Sequence, residues 1–346
     1  MQYFECDYME GAHPLIMQRL LETNMEKTTG YGFDPYSKIA KEKIRKECNC
    51  PEAEIHFLIG GTQTNKIVLK TLLRPYEGVL SADTGHINAH EAGAIENGGH
   101  KVLALPNTNG KISAEAVDDY VVSYYKDESY AHMVKPGAVY ISHPTECGTL
   151  YTRQELENLK AVCEKHHLFL YLDGARLGYG LMSPGTDVTM DVIAHTCDAF
   201  YIGGTKVGAL FGEALVFTKP HLVENFFSII KQEGALLAKG RLLSLQFDTL
   251  FTDGLYYKIS GHAIAMAQKL RKGLKELGCT FFRESPTNQQ FIIIDNALLK
   301  PLSEQVAYSF WEVYDESHTV IRLATSWATV EEDVDSLLKI LKNVLF

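Results

Sequence analysis

The sequence predicts an α/β protein: a three-layer large domain, in which helices cover both faces of a mostly parallel sheet, followed by a smaller α+β domain at the C-terminus. Three observations predict it. Short β-branched or aromatic runs alternate with helical patterns across Gly or Asp turns, which is how a parallel sheet with crossover helices reads. The runs are nearly all apolar rather than alternating, as strands buried on both faces must be. After Gly278 the pattern changes to that of a smaller unit of strands and helices. At 346 residues the chain exceeds the ~250–300 at which a single core stops growing. The expected division is 1–250 and 251–346, with residues 1–25 placed against the smaller unit.

Taken in order, His56-Phe57-Leu58-Ile59 reads as a strand, Gly60-Gly61-Thr62 breaks it, and residues 65–73 repeat apolar positions at helical spacing. Residues 78–81, 101–104, 137–141 and 168–172 supply further short apolar strands. Between the last two, Thr152-Arg153-Gln154-Glu155 has capping-box spacing. Leu156, Leu159, Val162 and Cys163 then share one face of a helix suited to a crossover. Residues 198–202 form another strand, 222–251 read as mainly helical, and the helical pattern continues through 262–277. Strands at 291–294 and 319–323 and a helix from Val330 complete the chain.

Composition removes several classes of function. A net charge of −10 argues against a broad grip on nucleic acid or anionic lipid. Apolar runs stop at five residues, whereas a membrane-spanning helix needs roughly 20. The early acids Glu5 and Asp7 do not suit a secretory signal, and the expectation is a cytoplasmic protein with a small-molecule partner. Seven scattered cysteines read as reduced thiols, and Cys48-Asn49-Cys50 lacks the second ligand pair of a zinc site, so no metal is expected.

The chemistry concentrates in a few residues. Asp173 directly follows the apolar run 168–172, and Lys206 follows the run 198–202 through Gly203-Gly204-Thr205. A carboxylate and an amine thus emerge from two strand ends beside small residues. Pyridoxal phosphate chemistry needs this combination: a lysine that bonds the cofactor, and an acid that keeps the pyridine nitrogen protonated. Gly60-Gly61-Thr62 adds an anion site, where unpaired N–H groups at a helix start can face a phosphate. Each feature alone also has an ordinary role, as a plain helix entry, a helix cap or a solvated lysine. Their order and strand contexts make the combination specific.

These segments resemble the threonine aldolase and β-eliminating lyase family of fold-type I pyridoxal phosphate enzymes, and look most similar to the bacterial low-specificity L-threonine aldolase branch. The resemblance is carried by Gly60-Gly61-Thr62-Gln63-Thr64-Asn65, Thr84-Gly85-His86 with Glu91-Ala92-Gly93, Pro144-Thr145-Glu146-Cys147-Gly148-Thr149, Asp173-Gly174-Ala175-Arg176, Gly203-Gly204-Thr205-Lys206 and Ile321-Arg322-Leu323-Ala324-Thr325-Ser326-Trp327. It implies that Lys206 holds pyridoxal 5'-phosphate covalently, that Asp173 pairs with the ring nitrogen, and that His86 lies against the ring as an acid or base. Gly61, Thr62 and Thr205 would complete the cofactor site. Arg322 and Arg176 would bind the substrate carboxylate by a two-point fork, with Arg176 also able to orient the ring. Arg322 interrupts an apolar strand, and a structural salt bridge is its alternative role. Lys239 and Arg241 lie where related enzymes bring basic groups toward the phosphate.

Two departures stand out. Glu146 replaces the second histidine of many aldolases, as in the branch most resembled, and Cys6-Asp7-Tyr8 stands where the family commonly has Ser-Asp. The resemblance implies cleavage of L-threonine or L-allo-threonine to glycine and an aldehyde, with His86 or Glu146 handling the hydroxyl proton. A different β-eliminating lyase, a racemase, an aminotransferase and a catalytically silent binding protein remain as alternatives. A homodimer or homotetramer, with active sites at the subunit interface, is the implied assembly.

Overall fold

The computed structural model describes residues 1–345. The chain opens with a two-residue strand, β1 (Gln2–Tyr3), and then builds a seven-stranded sheet from β2 (Glu54–Leu58), β3 (Glu77–Ala82), β4 (Val102–Leu105), β5 (Lys135–Ser142), β6 (Phe169–Asp173), β7 (Ala199–Gly203) and β8 (Glu213–Phe217), ordered β2-β8-β7-β6-β5-β3-β4. β8 runs against both its neighbours, β2 and β7, while the remaining neighbours pair in parallel. Every strand except β8 therefore points the same way.

Alternate residues feed two cores, as a pleated sheet requires. Leu80, Val139, Leu170, Leu172 and Phe200 face one helical layer, and Val79, Ala138, Tyr140, Tyr171 and Tyr201 face the other. This is the expected three-layer α/β architecture with a mostly parallel sheet. The helix Arg153–His166 carries the capping box: the Thr152 hydroxyl accepts from the Glu155 N–H, and the Glu155 carboxylate accepts from the Thr152 N–H.

The strand β8 is absent from the sequence reading. It follows β7 after a loop and no helix, breaking the strand–helix alternation, and the loop turns through Gly208 (φ +84°) and Gly212 (φ +116°). An antiparallel return needs no crossover, so a short glycine-bearing loop suffices.

The smaller sheet contains β9 (Phe281–Arg283), β10 (Gln289–Asp295), β12 (Ser309–Val313) and β13 (His318–Ala324) in the antiparallel order β12-β13-β10-β9, while β11 (Val306–Ala307) pairs with β1. Phe4, Ile292, Leu323 and Leu341 build its core. The helix Leu255–Glu276 joins the two units, giving Tyr256 and Ile259 to the larger core and Leu270 and Leu274 to the smaller. The N-terminal segment is split in the same way: Phe4 packs in the smaller core, whereas Ile16 of the helix Pro14–Glu22 packs in the larger. No helix among the described residues is long and apolar enough to cross a membrane.

Candidate active site

The shared strand direction brings β2, β3, β5, β6 and β7 to one edge with their C-terminal ends, where α/β sheets place ligands. Asp173 is the last residue of β6, in register with Ser142 at the end of β5. His86 follows β3 and Lys206 follows β7. A cavity of about 330 Å³ there is lined by Gly60, Gly61, Thr62, His86, Asp173 and Lys206, with Thr205 and Arg176 also on its wall. A second cavity of about 550 Å³ adjoins it, shares His86, Glu146, Arg176 and Lys206, and adds Arg322. The predicted residues thus meet in one place.

Asp173 forms the floor. Its carboxylate accepts from Tyr140 Oη (2.7 Å), Tyr201 Oη (2.5 Å), Asn65 Nδ2 (3.0 Å) and the Ala175 N–H (3.0 Å). Burial alone would push the acid toward its neutral form, but His86 and these donors overcome it and hold the pKa below the ordinary carboxylate value. The site keeps an anion there.

His86 is tied to the same floor through Glu91. Its Nδ1 lies 2.7 Å from Glu91 Oε1, which also accepts from Asn65 Nδ2 at 2.7 Å. Glu91 is buried, so the imidazole has a fixed carboxylate partner. Burial disfavours the imidazolium, yet Glu91 and Asp173 outweigh it and raise the His86 pKa. Glu146 meets His86 through the main chain instead: its Oε1 accepts from the His86 N–H (3.0 Å) and from Ser142 Oγ (2.6 Å). Burial raises the Glu146 pKa.

Lys206 faces a different balance. Burial and the nearby Arg176 cation lower its pKa, favouring the neutral amine that a nucleophilic lysine needs. The turn before it is clamped by Glu213 of β8, which accepts from Thr205 Oγ1 (3.0 Å) and the Gly204 N–H (3.2 Å). Burial raises the Glu213 pKa to about 8.

The two arginines are held differently. Arg176 donates through Nε (2.7 Å) and Nη2 (3.0 Å) to Asp7, which also accepts from Asn288 Nδ2 at 2.9 Å. Much of its fork is therefore committed to an acid within the chain. Arg322 has no such acid: it donates to Gln289 Oε1 (3.1 Å), the Glu5 carbonyl (2.9 Å) and Ser309 Oγ (3.0 Å), and its buried Nε has no partner. The salt bridge considered for Arg322 is not formed among the described residues. Arg241 donates to the carbonyls of Thr23 (2.7 Å) and Asn24 (3.1 Å).

The Asp7 pair carries a stability prediction. Burial raises its pKa, but Arg176 and Lys206 overcome this and bring it down from 3.8 to about 2. A depressed folded-state pKa stabilises above the unfolded value and is lost as pH falls from about 4 to about 2. Asp7→Ala is expected to lower stability by about 3–5 kcal/mol near neutral pH, because it strands a buried guanidinium. Urea unfolding at pH 7 and pH 3 checks this, the gap between variant and parent narrowing at the lower pH.

The family model described as Beta-eliminating lyase matches residues 6–297. The chain belongs to the beta-eliminating lyase family. Within it, the chain is 40% identical to a Leishmania major threonine aldolase of known structure, with a TM-score of 0.96 and complete coverage of both chains. It is 28% identical to the low specificity L-threonine aldolase of a Pseudomonas species, over 99% of this chain and 98% of that protein. A Thermus thermophilus aspartate aminotransferase shares the fold, with a TM-score of 0.74, 16% identity, and coverage of 99% of this chain and 91% of that one. The resemblance read from the sequence is borne out.

Pyridoxal phosphate, the cofactor that membership of the beta-eliminating lyase family implies, fits the residues present. The helix Gly61–Leu72 starts at the cavity without a side-chain cap, leaving N–H groups for a phosphate. A Cβ at Gly61 would lie 2.9 Å from Tyr201 Oη, so a side chain there would crowd the floor. Thr84 Oγ1 beside the adjoining cavity is buried without a partner. An anionic acid, an amine whose ammonium form is disfavoured by burial and an unfilled helix start are the three features the cofactor requires.

Sequence reasoning left Asn65, Glu91, Tyr140, Tyr201 and Glu213 without roles. A signal existed for the tyrosines, since a Tyr in a buried strand must find a partner for its hydroxyl. None existed for Glu213, whose strand went unrecognised.

Proposed function

We propose that the protein is a pyridoxal phosphate-dependent aldolase that cleaves β-hydroxy-α-amino acids, L-threonine and L-allo-threonine among them, to glycine and an aldehyde. The observation that carries this reading is the convergence of Lys206, Asp173 and His86 on one cavity that opens onto Arg322. When bound, the cofactor supplies an electron sink for the pair released from the Cα–Cβ bond. Asp173 holds the negative charge that keeps a ring nitrogen protonated. Lys206 presents the amine that anchors the cofactor. Gly61, Thr62 and Thr205 hold its phosphate end.

Arg322, with Arg176 beside it, fixes the substrate carboxylate and so sets which Cα bond stands ready to break. His86 takes the β-hydroxyl proton at Nε2, and Glu91 stabilises the resulting imidazolium through Nδ1. Glu146 fixes the main chain at His86, where the short helix His86–Ala89 begins, and is the second group able to hold that proton. A homodimer or homotetramer with interfacial sites and a cytoplasmic location belong to the same reading, supported by the resemblance and by the character of the sequence.

The test is product identity. Holoenzyme given L-threonine or L-allo-threonine is expected to release acetaldehyde and glycine, and to give little pyruvate from L-serine or L-cysteine. Pyruvate as the main product would make it a β-eliminating lyase in action as well as in family.

A further inference from the structure

The cavity beyond the reacting centre is built for more than a methyl group. It encloses about 550 Å³, and the three buried side-chain nitrogens on its wall that lack a partner, Arg283 Nε, Gln289 Nε2 and Arg322 Nε, are all obligate donors. Buried donors without acceptors are costly, and an anionic ligand would satisfy them. Arg283 and Arg322 stand on different strands, on opposite sides of Phe291, so each is placed to meet an acceptor of its own.

The sheet register sets their separation. Phe291 of β10 pairs with Arg322 of β13 on one side and with Arg283 of β9 on the other. Directly opposed residues share a face, so the two arginines flank Phe291, their Cα atoms two strand spacings, roughly 10 Å, apart. Between them is an aromatic floor. Trp311 packs edge-on against Phe291 (4.8 Å between centroids), the Arg322 guanidinium lies 5.9 Å from Trp311, and that of Arg283 lies 5.8 Å from Phe291.

Arg283 is also electrically free. No carboxylate among the described residues comes within 4.0 Å of it, and the neighbouring Glu284 is taken by Arg271 and Lys275. Its polar neighbour is the Cys147 thiol, next to Glu146. Of the acids on the cavity wall, Asp83 is held by Asn107, Glu146 by Ser142 and the His86 main chain, and Glu312 is exposed; none of them forms an ion pair with Arg283.

The geometry points to a second anion subsite at Arg283, so that the substrates include β-hydroxy-α-amino acids whose β-substituent carries a carboxylate across an apolar or aromatic spacer. The inference rests on the aldolase reading and narrows its substrate class. Cleavage of such a substrate breaks Cα–Cβ, moves the hydroxyl proton to the enzyme and a proton to Cα, and gives glycine and an aldehyde that bears an acid. No oxidant or reductant is needed.

The test compares phenylserine with 4-carboxyphenylserine, which differ by one carboxylate, using the absorbance of the aromatic aldehydes released. Wild-type holoenzyme is expected to favour 4-carboxyphenylserine in kcat/KM by roughly tenfold or more, and Arg283→Met to cut that ratio at least about tenfold. Arg283→Lys should restore part of it. Binding of 4-carboxyphenylalanine and phenylalanine, which lack the hydroxyl, is followed by perturbation of the holoenzyme's visible band and should show the same loss of preference. Equal ratios in wild type and Arg283→Met, in cleavage and in binding, would overturn the subsite. Failure to cleave any β-hydroxy substrate, with the binding preference intact, would instead overturn the aldolase reading.

Discussion

Lys206→Ala is expected to abolish turnover, with kcat/KM falling at least about 10⁴-fold, and to remove the visible band of the holoenzyme. The side chain is the cavity's amine, and its lowered pKa follows first from burial and then from Arg176. Nothing else on the wall can replace it, because the other cations there are guanidinium groups and imidazoles. The substitution should not unfold the protein. Burial already works against the ammonium form, and Glu213 holds the preceding turn through Thr205 Oγ1 and the Gly204 N–H rather than through Lys206. Spectrophotometry with a thermal melt separates the outcomes: a lost band with an unchanged or higher Tm is the expected pair.

Asp173→Ala is expected to lower kcat/KM by roughly 10³-fold or more, and in contrast to weaken the fold. Two tyrosine hydroxyls, the Asn65 amide and the Ala175 N–H all donate to this carboxylate. Removing it leaves several buried donors without an acceptor, at about 1–3 kcal/mol each when fully unsatisfied. Asp173→Asn keeps an acceptor while losing the charge, so it should recover much of the stability and little of the rate. That split distinguishes an electrostatic role from a structural one. The parent's carboxyl is held below its ordinary pKa, so its contribution is complete above about pH 4 and is lost only on further acidification.

Much of this site was legible because its parts lie at strand ends. Asp173 and Lys206 each follow an apolar run, and Gly60-Gly61-Thr62 follows a third, so the strand pattern locates all three. The same logic placed Arg322, since an arginine in an apolar strand needs a reason. The missing parts are of two kinds. Glu213 sits on β8, whose antiparallel return breaks the strand–helix alternation along the chain. Asn65 acts through partners 26 and 108 residues away and Asp7 through one 169 residues away, and no local pattern encodes such distances. The pairing of Asp7 with Arg176 also gives a carboxylate to a guanidinium that the sequence offers to the substrate, leaving Arg322 as the one of the two without an acid partner among the described residues.

One time course tests the central claim most directly. Holoenzyme with L-allo-threonine in D2O, followed by proton NMR, should produce glycine and acetaldehyde in equal amounts, the glycine carrying solvent deuterium at Cα because the proton delivered there comes from an exchangeable group. Formation of 2-oxobutyrate, or exchange of the Cα proton of threonine without cleavage, would contradict the account and assign the site to elimination or racemisation.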